Sequence, residues 1–137
     1  MKRGGTTHIL LADDDGEDQE LLKEALHADA PDAEVAIVWN GAEAVSYLSG
    51  CSEGALPDVI VLDYKMPVLN GAEVLEHLVG NERYASIPKI VWSSSNQQEY
   101  IDRCIRSGAA LFVTKPNDMR ELKKITDKIL SLCDRSL

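Results

Sequence analysis

The chain has 137 residues, 45% hydrophobic and 27% charged, with a formal net charge of −9, the make-up of one soluble globular domain large enough to bury its own core. The acidic balance disfavours nucleic acid and anionic membranes, which select basic patches, and no apolar run nears the roughly 20 residues of a membrane span. Cys51, Cys104 and Cys133 lie far apart with no C-x-x-C pair, which argues against a disulfide framework or a zinc site. No secretory apolar stretch follows Met1-Lys2-Arg3-Gly4-Gly5, so the expected location is the cytoplasm.

His8 to Ala12, centred on Ile9-Leu10-Leu11, reads as a buried strand that runs directly into Asp13-Asp14-Asp15-Gly16. Glu17 to Ala28 follows as a helix with Leu21, Leu22, Ala25 and Leu26 on one side and Glu17, Asp18 and Glu20 near its positive end. Pro31-Asp32 turns the chain into a strand over Glu34 to Trp39. Asn40-Gly41 then opens a helix carrying Ala44, Val45 and Leu48, which stops at Gly50. Cys51 to Pro57 is a polar connection.

Val59-Ile60-Val61-Leu62 is a short, uninterrupted apolar run, the pattern of a strand buried on both faces, and it ends in Asp63 ahead of Met66-Pro67. Asn70-Gly71 begins a helix that points Val74, Leu75, Leu78 and Val79 inward, with Gly80 as its stop, and Asn81 to Ile87 is loop. Pro88 to Trp92 forms the fourth strand and delivers Ser93-Ser94-Ser95-Asn96. The helix from Gln97 to Ser107 buries Tyr100, Ile101, Cys104 and Ile105, and Gly108 ends it. Ala109 to Val113 is a fifth strand leading to Thr114-Lys115-Pro116. Asp118 and Glu121 have the spacing of a capping box for a last helix that buries Ile125, Ile129 and Leu132.

Five strands alternating with five helices imply an α/β fold with a doubly wound parallel sheet in the order 2-1-3-4-5, spanning 1–137 as a single domain with its core at about 8–134. In such a sheet the ends of strands 1, 3, 4 and 5 share one edge, where ligands of open α/β sheets bind. Asp13, Asp14, Asp63, Ser93 and Lys115 therefore converge. Clustered carboxylates repel, and a hard cation such as Mg²⁺ relieves them. A hydroxyl and an ammonium beside a carboxylate suit a phosphoryl group, with Asp63 as the nucleophile. Taken singly, each feature has an ordinary structural reading: acids favour helix N-termini, and Ser and Lys-Pro favour turns.

Those motifs together resemble the response-regulator receiver domains of two-component signalling, which have a flavodoxin-like fold. The resemblance rests on Ile9-Leu10-Leu11-Ala12-Asp13-Asp14, on Asp63 with Met66-Pro67 and Asn70-Gly71, on Ser93, and on Lys115-Pro116. It implies a phosphoprotein whose Asp63 accepts a phosphoryl group from a histidine kinase or phosphotransfer protein. Mg²⁺ would be held by Asp13, Asp14, Asp63 and the main-chain carbonyl of Lys65. Ser93 and Phe112 would be the switch residues, Lys115 the cation that pairs with the phosphoryl group, and Lys115-Pro116 a cis peptide.

Tyr64 and Lys65 depart from the commonest pattern, and Lys65 and Ser95 are expected to tune dephosphorylation by flanking the path of water. No output domain is expected after the last helix, so the product would speak to a downstream protein or, through the face of helix 4, strand 5 and helix 5, to a second copy. The lone-domain form also resembles receivers paired with phytochrome-type or hybrid sensor kinases. Two alternatives remain: a small phosphatase or phosphotransferase with an Asp nucleophile, for which the acid needed after Asp63 is missing, and a receiver-like interaction module that is never phosphorylated.

Overall fold

The computed structural model describes residues 6–133. The basic start of the chain and the expected core boundary at 134 lie outside the described residues. The elements are β1 (His8–Ala12), α1 (Gly16–Asp29), β2 (Glu34–Val38), α2 (Gly41–Gly50), β3 (Val59–Asp63), α3 (Gly71–Leu78), β4 (Lys89–Ser93), α4 (Gln98–Arg106), β5 (Leu111–Thr114) and α5 (Met119–Cys133). All strand pairs are parallel and the order is β2-β1-β3-β4-β5. This is the doubly wound arrangement expected from the alternation of elements.

The central strands are apolar between their ends because helices cover both faces of the sheet. Alternate residues point to opposite faces. Leu10, Ala12, Ile60, Leu62 and Val91 meet Ala44, Leu48, Val74, Leu75, Leu78 and Cys104 on the side of α2, α3 and α4. Ile9, Leu11, Val59, Val61, Ile90 and Trp92 meet Leu22, Leu26, Leu122, Ile125 and Ile129 on the side of α1 and α5. Strand β3 is buried from end to end, Asp63 included.

Local chemistry fixes the helix starts. Asp15 caps α1, accepting from the amides of Glu17 and Asp18, and Asn40 caps α2. Asn70 and Glu73 form a reciprocal capping box on α3. At α5 the box is shifted: Asp118 accepts from the Glu121 amide, but the Glu121 carboxylate accepts from the amide of Asn117 rather than that of Asp118.

Several expectations are corrected. Val79 is exposed rather than inward, because α3 ends at Leu78 and Val79 takes an extended conformation as the cap. The turn is completed by Gly80, whose φ of 86° suits glycine. On α4 only Cys104 is fully buried, while Ile105 faces solvent. The inward stripe there is narrower than four residues, and the strand that α4 mainly contacts is β5, the short edge strand of the sheet. The connections Cys51 to Pro57 and Asn81 to Ile87 hold 3₁₀ turns at Glu53–Ala55 and Glu82–Tyr84, and Tyr84 and Ile87 add buried apolar surface. The described residues contain no cis peptide. Lys115-Pro116 is therefore trans, the lower-energy isomer, and the expected cis bond is not present.

Candidate functional site

The three acids after β1 divide their work. Asp15 is used up as the α1 cap. Asp13 is fully buried, with Oδ1 accepting from the Asp15 amide at 2.9 Å, and its main-chain carbonyl accepts from the Gln19 side chain. Asp14 stays exposed at the rim.

Asp63 completes the group. Carboxylate oxygens of Asp13, Asp14 and Asp63 lie within 4.8 Å of one another. Oδ2 of Asp13 is buried and touches the Lys115 ammonium at 3.0 Å without an aligned hydrogen bond. Such a donor set, all oxygen and partly unsatisfied, fits a hard divalent cation.

Lys115 enters from the end of β5, where its amide donates to the Ser93 carbonyl at 2.9 Å. Its Nζ lies 3.1 Å from Asp63 Oδ2 and 2.7 Å from Asp18 Oδ2, and 5.1 Å from the centre of the Trp92 ring. Burial alone would lower the Lys115 pKa, but the hydrogen bond to Asp18 and the charges of Asp63 and Asp13 raise it above the usual value. The ammonium is fixed as a cation. Burial, reinforced by the charge of Asp13, pushes the Asp63 carboxyl up to about 7 against the opposing pull of Lys115. In the absence of a metal, one ammonium does not fully offset the carboxylates around it.

Backbone packing sets the position of Asp63. A Cβ on Gly71 would lie 2.7 Å from the Asp63 carbonyl oxygen, so only glycine lets α3 start this close to the end of β3. The loop between them contains a three-residue turn, with the Leu69 amide donating to the Pro67 carbonyl and Val68 at a φ of 70°. That is a strained conformation for a β-branched residue.

The remaining expected residues fall around this centre. Ser93 is buried at the end of β4, and its Oγ accepts from the Ser95 amide at 3.1 Å. Phe112 is half-buried against the core beneath α4. Lys65 is exposed, with its ammonium 5.8 Å from the Tyr100 ring centre. Tyr64 is buried and stacked on Tyr100, with centroids 4.4 Å apart. Lys65 thus lies over the Tyr100 ring, and the Ser95 amide is bonded to Ser93. Asp18 was missed altogether as a member of the site. Its only signal was an acid in the first turn of α1, which helix dipoles favour anyway.

Comparison with known proteins places these residues in context. A model of the response regulator receiver domain matches residues 9–127. The two-component response regulator ORR5 of Oryza sativa subsp. japonica is 30% identical over 132 residues, covering 95% of this chain and 93% of that protein. The phosphorylated cyanobacterial phytochrome response regulator RcpA is similar in structure, with a TM-score of 0.85 at 28% identity and coverage of 97% of each chain. A Mn²⁺-bound form of the response regulator Rcp1 has a TM-score of 0.81 at 26% identity, with 96% of each chain covered.

Proposed function

The chain belongs to the family of response regulator receiver domains, and from that premise we propose that it is a Mg²⁺-dependent phosphoryl acceptor, with Asp63 as the nucleophile and a histidine kinase or phosphotransfer protein as the donor. The observation that carries this reading is the meeting of Asp63 with Asp13, Asp14 and the Lys115 ammonium at one edge of the sheet. A carboxylate oxygen of Asp63 attacks phosphorus, an O–P bond forms as the donor's P–N bond breaks, and the leaving imidazole takes up a proton. A bound Mg²⁺, held by Asp13, Asp14, Asp63 and the Lys65 carbonyl, would neutralise charge on the carboxylates and the phosphoryl oxygens.

The residues of the chain do the rest. Lys115 pairs with a phosphoryl oxygen, the Ser93 hydroxyl turns toward the group, and Phe112 repacks through its half-buried ring, shifting a two-state equilibrium on the face of α4, β5 and α5. That face is the proposed contact for a downstream protein or a second copy. Leu21 and Met119, exposed apolar residues, line a groove with Pro116 next to Lys115, a suitable seat for the donor's helix. The likeness to a phytochrome response regulator supports a phytochrome-type or hybrid kinase as donor. The reading places the protein in the cytoplasm; among the described residues no helix is long and apolar enough to cross a membrane. The phosphatase alternative finds no support, because the two residues after Asp63 are Tyr64 and Lys65 rather than a carboxylic acid that could protonate a leaving group.

The test follows Trp92 fluorescence in a Trp39→Phe background while Mg²⁺ and then beryllofluoride are added. The expected result is a saturable response that needs Mg²⁺ and disappears in Asp63→Asn. A response that persists in Asp63→Asn removes Asp63 as the acceptor.

A further inference from the structure

Lys115 has three N–H donors and three carboxylates around it: Asp18 at 2.7 Å, Asp13 at 3.0 Å and Asp63 at 3.1 Å. The shortest contact is to the residue outside the cation-binding group, which consists of Asp13, Asp14 and Asp63. Alternation along the strands explains the meeting. Trp92 and Val113 point to the side of α1 and α5, and Lys115, two residues beyond Val113, reaches that same side, where the first turn of α1 presents Asp18. The Trp92 ring covers the ammonium from beneath at 5.1 Å. The Asp18 amide is itself anchored on Asp15 Oδ1 at 3.1 Å, so the start of the helix aims its carboxylate at the ammonium. A role confined to the helix dipole does not call for an ion pair with a lysine side chain only 11% exposed.

We propose that Asp18 is a positioning residue that competes with the phosphoryl group for Lys115, and so sets how tightly the Asp63 site takes its anionic ligand. The proposal rests on the acceptor role given to Asp63 above. The ammonium donates hydrogen bonds to Asp18 and Asp63 and touches Asp13 without one, so a phosphoryl oxygen must share it with carboxylates that already neutralise its charge. Asp13 and Asp63 have other work in the loaded site, one toward the cation and one bonded to phosphorus. Asp18 is left as the direct competitor, and its charge also repels the incoming anion. Both effects weaken anion binding. For a cation the sign is reversed, because removing Asp18 takes negative charge away from the pocket.

The experiment titrates Mg²⁺, and then beryllofluoride at saturating Mg²⁺, into the wild type, Asp18→Asn, Asp18→Glu and Asp63→Asn, all in the Trp39→Phe background. Asp18→Asn should bind beryllofluoride about 3- to 10-fold more tightly while Mg²⁺ affinity is unchanged or about 2-fold weaker. Asp18→Glu, which keeps the charge, should stay near the wild type. Tighter anion binding with no gain in cation affinity is what a merely structural Asp18 cannot produce. If the wild type responds and Asp18→Asn binds beryllofluoride equally or more weakly, the proposal is overturned. If the wild type does not respond, or Asp63→Asn still does, the acceptor reading itself fails, and that result is distinct from the first.

Discussion

Among the described residues, two of the clusters that pair a cation with carboxylates differ in almost every physical respect. Around Lys115, three carboxylates share one ammonium whose side chain is 11% exposed. Between α3 and α4, Arg103 grips the Glu76 carboxylate with two bonds of 3.1 Å, helped by the Ser107 hydroxyl at 3.3 Å, and both charged partners are open to solvent. The Arg103 cluster is balanced, one charge against one, in a medium that screens it. The Lys115 cluster has surplus negative charge where screening is weak. Buried imbalance costs stability unless a ligand corrects it. The unbalanced site is therefore the one proposed to bind an ion.

The most direct way to break this contrast is Lys115→Met. Removing the ammonium leaves Asp13, Asp18 and Asp63 facing one another, and metal-free stability at about pH 8 should fall by about 3 kcal/mol in urea unfolding, with much of the loss restored by Mg²⁺. A loss that Mg²⁺ leaves untouched would mean that the lysine serves packing rather than charge. Gly71→Ala should cost about 1–3 kcal/mol, because its Cβ would meet the Asp63 carbonyl oxygen at 2.7 Å. It should also weaken beryllofluoride binding, since the backbone that must move carries Asp63, the proposed acceptor. Unchanged affinity in a destabilised variant would show that the acceptor tolerates a shifted strand end.

A gentler probe is pH. With the Asp63 carboxyl pushed up to about 7 by burial and by Asp13, the folded state holds a proton that the unfolded chain releases near the ordinary carboxylate value. Stability from this group is then fully present below that value and is lost as pH rises through about 7. Metal-free protein should lose on the order of 1–2 kcal/mol between about pH 5 and about pH 8, and Asp63→Asn should flatten that slope. Saturating Mg²⁺ should flatten it as well, by favouring the ionised form. A slope that persists in Asp63→Asn would assign the titration to another group.

The same contrast explains what sequence could and could not reveal. Asp13, Asp14, Asp63, Ser93 and Lys115 were legible because each follows a short apolar run, and alternating strands and helices leave few ways to order a sheet. Asp18 was not legible, because its partner lies 97 residues away and an acid in a first helical turn has a sufficient local reason to be there. The splitting of Asp13, Asp14 and Asp15 into buried acid, rim acid and cap depends on backbone direction, which composition does not carry. Val79 kept the apolar periodicity of α3, yet the helix had already ended. Ile105 kept that of α4, yet it faces solvent. Tyr64 departs from the commonest pattern beside Asp63, and only its stack on Tyr100 shows that it has a buried partner.

The balanced cluster supplies the smallest effect and the control. Arg103→Ala removes both bonds to Glu76, but each partner regains water, so stability should drop by only about 0.2–1 kcal/mol and the drop should shrink as salt is added. Because Tyr64 also draws on Arg103, the substitution probes whether the residue after the acceptor is coupled to α4. If the two clusters are independent, beryllofluoride affinity stays within about 2-fold of the wild type, as expected for separated sites. A larger change would show that the surface pair reaches the acceptor through Tyr64 and its stack on Tyr100, and the division between a balanced structural cluster and an unbalanced binding one would have to be given up.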